Sequence, residues 1–173
     1  FAGKLIQRKG LDLLFKAYEK VQGNKQVHLL LMGNGEMDNE LKKEVAERKL
    51  KNVTFLGYKD EKEKWAFYLA SDIFVFPTKF DVWGLVVNEA MLCGLPIICS
   101  CFAGAAADLV EDGVNGYIVN PYHIDEISNK INFLFENQMK REAMRIESLK
   151  RISLYTIENS AKGFFDAIDA INH

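Results

Sequence analysis

Proline and cysteine each occur only three times in 173 residues, and neither a block of like charge nor a membrane-length apolar run is present. Each scarcity excludes something. Without Pro-rich, Gly-rich or low-complexity stretches, and without an internal repeat, the chain reads as one uninterrupted domain over 1–173. Cys93, Cys99 and Cys101 are odd in number and lie in or near apolar segments, which fits reduced, buried thiols rather than a disulfide framework. Cys99 and Cys101 would share one face of a strand, but no second Cys or His pair stands near in sequence to complete a metal site. Lys and Arg total 22 against 24 Asp and Glu, evenly spread, so nothing marks a surface for nucleic acid or an anionic membrane. The apolar runs fall short of the roughly 20 residues that span a bilayer, and no signal-peptide pattern opens the chain. A cytoplasmic location is the default expectation. The chain opens on Phe1 inside what reads as a strand, so it is expected to be a piece of a longer protein.

What is present is an apolar content of 49% with 12 Phe, enough for the core of one compact domain. Short apolar runs alternate with longer amphipathic ones, the pattern of a doubly wound, Rossmann-like α/β fold with helices on both faces of a parallel sheet. The expected strands are 1–5, 27–32, 53–56, 73–77, 96–100 and 116–119. Helices are expected over 11–21, 37–48, 61–70, 85–93, 105–110, 124–135, 139–150 and 157–171. The last carries a broad apolar stripe through Ile157, Ala161, Phe164, Phe165, Ile168 and Ile171, which suits packing on a neighbour outside this chain.

The most informative stretch is 79–96, where Asp81 and Glu89 place two carboxylates around a helix start. Asn88 and Glu89 are the only breaks in the apolar run from Gly84 to Cys99, so Glu89 is expected on a helix buried over most of its circumference. An ionised carboxylate there needs hydrogen-bond donors. A ribose offers two vicinal hydroxyls to one carboxylate, while Asp81, just before the helix, is free to reach a second polyol. The amides of Trp83, Gly84, Leu85 and Val86 form an open helix start whose partial positive charge favours a diphosphate, and Gly84 lets backbone approach a ligand closely. The plainer alternative makes Asp81 an N-cap and Glu89 a surface charge.

Other candidates are weaker. Gly33-Asn34-Gly35 follows a strand, but Asp38 stands where the dinucleotide fingerprint needs its third glycine, so a hydride-transfer cofactor is not expected. Glu36, Asp38 and Glu40 are ordinary complements of a helix dipole and imply no metal. Gly57-Tyr58 lies past a strand's C-terminal end, where such folds bind ligands, and Tyr58 could stack on a base or simply be a surface residue. His28, His123 and His173 suit structural or solvated positions better than catalysis, and no Ser-His or Cys-His nucleophile is supported.

The blocks Phe1-Ala2-Gly3-Lys4-Leu5 with Lys9-Gly10, 30–35, 53–57 and 81–96 come in an order that resembles the C-terminal, donor-binding half of a GT-B retaining glycosyltransferase. The resembled family is the large one with a Glu-x7-Glu motif that includes bacterial cell-surface polysaccharide enzymes, and the resemblance covers essentially the whole chain. It implies that Lys4 and Lys9 grip the donor diphosphate, with Lys4 standing where Arg is usual, so that bidentate phosphate recognition is lost at that point. Asp81 stands where Glu is usual and would address the donor sugar; Glu89 would address the ribose. Gly57 and Tyr58 would border the base, and the small-residue loop at Ala103-Gly104-Ala105 would shape the pocket. The implied activity is retaining transfer of a hexose from a nucleoside diphosphate sugar to a glycan or lipid-linked acceptor. No metal or other cofactor is implied. The implied partners are the donor, the acceptor and the enzyme's own N-terminal domain, through which the protein could touch a membrane, and the chain alone should not turn over. A nucleotide-sugar epimerase or phosphorylase-like enzyme of the same fold, or a non-catalytic nucleotide-binding module, is the alternative.

Overall fold

The computed structural model describes residues 1–22 and 27–171; His173 lies outside the described residues. Among the described residues there are five strands, β1 (Leu29–Met32), β2 (Val53–Gly57), β3 (Phe74–Phe76), β4 (Ile97–Ser100) and β5 (Gly116–Val119). They form two parallel ladders, β1 with β2 and β3-β4-β5 in that order. The helices are α1 (Leu11–Gln22), α2 (Asp38–Glu47), α3 (Lys64–Leu69), α4 (Leu85–Leu92), α5 (Gly104–Leu109), α6 (Ile124–Glu136), α7 (Gln138–Ile152) and α8 (Ile157–Ile171).

Alternate residues of the strands feed two separate cores, as period-2 geometry requires of strands covered on both faces. Leu29, Leu31, Val75, Ile98, Tyr117 and Val119 pack with α1 and α6. Phe74, Phe76, Ile97 and Cys99 point the other way, into a cluster with Val87, Ala90 and Met91 of α4 and Ala105, Ala106 and Leu109 of α5. All four residues of β4 are buried, so this strand is the floor common to both layers. The doubly wound expectation therefore holds.

The first expected strand, 1–5, is a correction. Only Ala2 pairs, in one parallel bridge with Met32, before the chain crosses over the end of β1, where the Leu5 amide donates to Asn34 and the Met37 amide to Leu5. Too few residues run alongside β1 for a ladder to form. The segment still joins the two ladders: Phe1 hydrogen-bonds along β1, and its ring stacks on Phe76 of β3 at 6.4 Å. A short 3-10 turn at Gln7–Lys9 follows, closed by Gly10 at φ 70, where a Cβ would collide with the Pro77 carbonyl oxygen. Only glycine lets this turn seat against the end of β3.

α8 contributes no buried residue, and its Phe164, Phe165 and Ile171 stand in solvent, in keeping with the stripe read from the sequence. Among the described residues no helix is long and apolar enough to cross a membrane.

Cys101 corrects the reading of three buried thiols: β4 ends at Ser100, the next residues turn, and Cys101 is exposed while Cys93 and Cys99 are buried. Burial pushes the Cys99 thiol up from 9.0 to about 12 and also raises Cys93, with the Glu89 charge adding to it. A disulfide-exchange reagent at pH 8 should therefore titrate one thiol rapidly in the native protein and three after denaturation. The native state of Cys99 holds its proton more tightly than the unfolded chain does, so its contribution to stability is present below pH 9 and is lost as pH rises toward 12. Rapid native reaction of three thiols would contradict this placement.

Candidate functional site

Parallel strands end on one rim, and the loops that leave it carry the chemistry. The opening segment, the loops after β1 and β2, α3 and the start of α4 surround a cavity of about 390 Å³ whose walls include Gly3, Lys4, Gly33, Tyr58, Lys64 and Glu89. A wider groove of about 570 Å³ runs along Tyr117 and Lys130, but it is remote from the paired charges, and we place the site at the rim.

Glu89 sits one turn into α4 with its side chain 24% exposed. Lys64 donates to Oε1 at 2.8 Å and the Tyr68 hydroxyl to Oε2 at 2.8 Å. Both donors come from one face of α3, four residues apart and therefore one turn apart. Burial raises the Tyr68 hydroxyl far above its ordinary value, and its bond to the Glu89 carboxylate adds to this, so Tyr68 is a permanent donor. Burial alone would lower the Lys64 ammonium, but hydrogen bonds to Glu61 and Glu89 outweigh it and hold the group above its usual value. Glu89 is thus held by two donors and still open to the cavity.

Asp81 is organised from the other end of the chain. Lys9 and Arg8 both reach its Oδ2, Arg8 at 3.3 Å; the Lys9 and Asp81 side chains are only 10% and 12% exposed. The Lys9 ammonium also lies 4.9 Å above the Phe76 ring, a cation–π contact. The loop after β3 fixes this approach. The Lys79 amide donates to the Arg8 carbonyl at 2.7 Å, and the buried Thr78 hydroxyl lies within reach of the Arg8 and Phe80 carbonyls at 3.0 and 2.9 Å. The Asp81 backbone is pinned on its other side by a parallel bridge to Ala103.

The N-cap of α4 is Gly84 at φ 102, and among the described residues no side chain caps the helix. Asp81 is therefore not an N-cap, and the first amides of α4 remain without intrahelical acceptors. A Cβ on Gly84 would press on the Phe76 ring at 2.8 Å, so the helix start can approach β3 this closely only with glycine there. Trp83 is turned back onto α4, its indole N–H donating to Asn88 at 2.9 Å.

The rim brings Lys4, Tyr58, Val86 and Glu89 to one cavity. Gly57 precedes Tyr58 at the end of β2. Tyr58 is 72% and Leu85 69% exposed, so both are free to meet a ligand. Asp81 is not free to reach a polyol unaided, as its sequence position suggested, but is half committed to two cations. Gly104 opens α5 against the Val82 carbonyl. His28 lies before β1, 2.8 Å from the Thr54 hydroxyl and at the end opposite the rim, and His123 lies in the loop after β5 near Glu126, outside the lining of the cavity. Arg8, Lys64 and Tyr68 were not singled out from the sequence. For Arg8, adjacency to Lys9 was the available signal; for Lys64 and Tyr68 the i, i+4 spacing on an amphipathic helix was, but their partner lies more than twenty residues away.

Residues 1–151 match the family described as glycosyl transferases group 1. Among individual proteins, the chain is 31% identical over 149 residues to a GDP-mannose-dependent phosphatidylinositol monomannoside mannosyltransferase of Corynebacterium glutamicum, covering 82% of this chain and 38% of that protein. It is 26% identical to the poly(glycerol-phosphate) alpha-glucosyltransferase of Bacillus subtilis, over 96% of this chain and 25% of the other. The crystal structure of Anabaena HepE in complex with UDP superposes with a TM-score of 0.84 at 27% identity, over 98% of this chain and 48% of that one. The chain therefore spans between a quarter and a half of the length of these proteins, and its fold is one Rossmann-like half of the GT-B architecture.

The Lys9–Asp81 pair should behave as a coupled unit. Lys9→Met leaves a mostly buried carboxylate with only the half-exposed Arg8, and should cost about 2–4 kcal/mol in chemical denaturation. Asp81→Asn in the same background should restore part of that loss. Strictly additive effects in the double-mutant cycle would show that the pair does not organise the rim.

Proposed function

Because the chain belongs to the glycosyl transferases group 1 family, we propose that it is the donor-binding half of a retaining hexosyltransferase, which takes a nucleoside diphosphate sugar and serves a glycan or lipid-linked acceptor held by an N-terminal domain. The observation that carries this reading is the arrangement of one cavity between an uncapped helix start, a solvent-facing Lys4 and the donor-held carboxylate of Glu89. Each part matches one part of such a donor. The ribose hydroxyls meet Glu89. The diphosphate meets Lys4, Lys9 and the amides of Trp83, Gly84, Leu85 and Val86. The base meets Gly57 and Tyr58, and the hexose meets Asp81, whose bonds to Lys9 and Arg8 both use Oδ2 and leave Oδ1 to accept from a sugar hydroxyl. The UDP complex of the Anabaena protein and the GDP-mannose dependence of the Corynebacterium relative support a nucleoside diphosphate, with the base depending on loop detail.

As the anomeric bond breaks, the electron pair stays with the departing diphosphate, and charge grows on its terminal oxygens. Cations already fixed in place stabilise that charge without reorganising. Lys9 is such a group, held by Asp81 and by the Phe76 face; Lys4 and the start of α4 complete the set. In this reading no metal ion is required, and proton removal from the acceptor falls to the substrate assembly or to the N-terminal domain.

Titration with UDP, GDP and ADP, followed by heteronuclear NMR with Glu89→Ala as control, tests the site. Shifts around Lys9, Tyr58 and Glu89 with one nucleotide, lost in the variant, are the expected result, and shifts confined to other surfaces would refute it. In the full-length enzyme Lys9→Ala should lower turnover about a hundredfold or more, from the loss of roughly 3–4 kcal/mol of preorganised stabilisation. Near-normal turnover would remove Lys9 from the mechanism.

A further inference from the structure

We propose that Lys64 and Tyr68 are positioning residues that set how strongly the site recognises the ribose, because they jointly fix the one carboxylate, Glu89, that faces it. The proposal rests on the donor-site reading above and concerns residues that reading leaves without a role.

An ionised carboxylate offers about four acceptor positions on its two oxygens. At Glu89 one position on each oxygen is filled from the protein, by the Lys64 ammonium on Oε1 and the Tyr68 hydroxyl on Oε2. Two remain, one per oxygen. That is the number needed to accept from two vicinal hydroxyls, and both donors and acceptor border the same cavity. Filling one position on each oxygen, rather than two on one, holds the carboxylate at both ends and leaves each oxygen a position for a hydroxyl.

The two donors are themselves held. Lys64 is anchored by a second carboxylate, Glu61, at 2.7 Å, and its side chain is only 15% exposed. Its ammonium lies 4.8 Å from the Trp65 ring. Tyr68 is buried, and its ring packs on Trp65 and Phe74. α3 therefore presents a rigid pair of donors to a carboxylate on α4. A free Glu side chain would have to lose rotamer freedom on binding, so holding it beforehand strengthens ribose recognition.

The test uses UDP and GDP, each with its 2′,3′-dideoxy analogue, and reads the ratio of dissociation constants by calorimetry on the full-length protein. The wild type should prefer the ribose form of its nucleotide, and Glu89→Gln should abolish most of that preference. Lys64→Met should cut it about tenfold, the loss expected when a charge-assisted contact no longer orients its acceptor. Tyr68→Phe should act in the same direction by a smaller factor, and Lys64→Arg should restore most of the preference. Binding of the dideoxy analogue should change little in any variant. General loosening of the fold would weaken both ligands alike, so the ratio separates positioning from damage. A Lys64→Met protein that keeps the wild-type ratio, while Glu89→Gln loses it, would overturn the role of Lys64 and leave the donor site standing. A wild type without ribose preference would overturn the donor-site reading of Glu89, and this inference with it.

Discussion

A carboxylate that has given up most of its water must be met by donors, and at this rim the donors arrive from segments far away along the chain. Lys9 reaches Asp81 across 72 positions, and Lys64 reaches Glu89 across 25. These two pairings fix the turn after the first segment to the loop after β3, and α3 to α4. With the backbone bond from Lys79 to Arg8 and the bridge from Asp81 to Ala103, they hold the C-terminal loops in one geometry.

The pairings are possible because all the ladders run parallel. Antiparallel strands would send alternate loops to opposite ends of the sheet; here each strand delivers its following loop to one side. Coverage on both faces then matters as much as direction. With α4 and α5 packed against one face of β3 and β4, and α1 and α6 on the other, the start of α4 is held against the Phe76 ring rather than hinged above it. That ring serves several neighbours at once, taking Phe1 in a stack, Lys9 over its face and Gly84 at its edge.

Much of this was legible in the sequence. Strand and helix positions follow from hydrophobic period, which is local information, so β5 and α8 fall where the pattern put them and the other elements within a few residues. The block from Asp81 to Glu89 was legible because a charged residue inside an apolar run has few innocent explanations. The failures are of another kind. Residues 1–5 have strand composition, but pairing needs a partner running alongside, and the chain departs after Ala2. Cys101 reads as a continuation of β4 until the turn at its end is seen. Arg8, Lys64 and Tyr68 were missed because nothing local distinguishes a cation that neutralises a distant carboxylate from one that faces solvent.

The long reach of the Lys9–Asp81 bond has a consequence for the order in which the protein assembles. Closing a loop of 72 residues carries an entropic cost that must be met before the contact rewards it, and both partners are in place only after β1 and β3 have found their neighbours. Local helices such as α6 and α7 need no such closure. The rim is thus assembled after the local helices, and a chain still emerging in synthesis, with α1 already made but β3 and α4 not yet joined to it, has helices and part of a core but not yet the cavity at the strand ends.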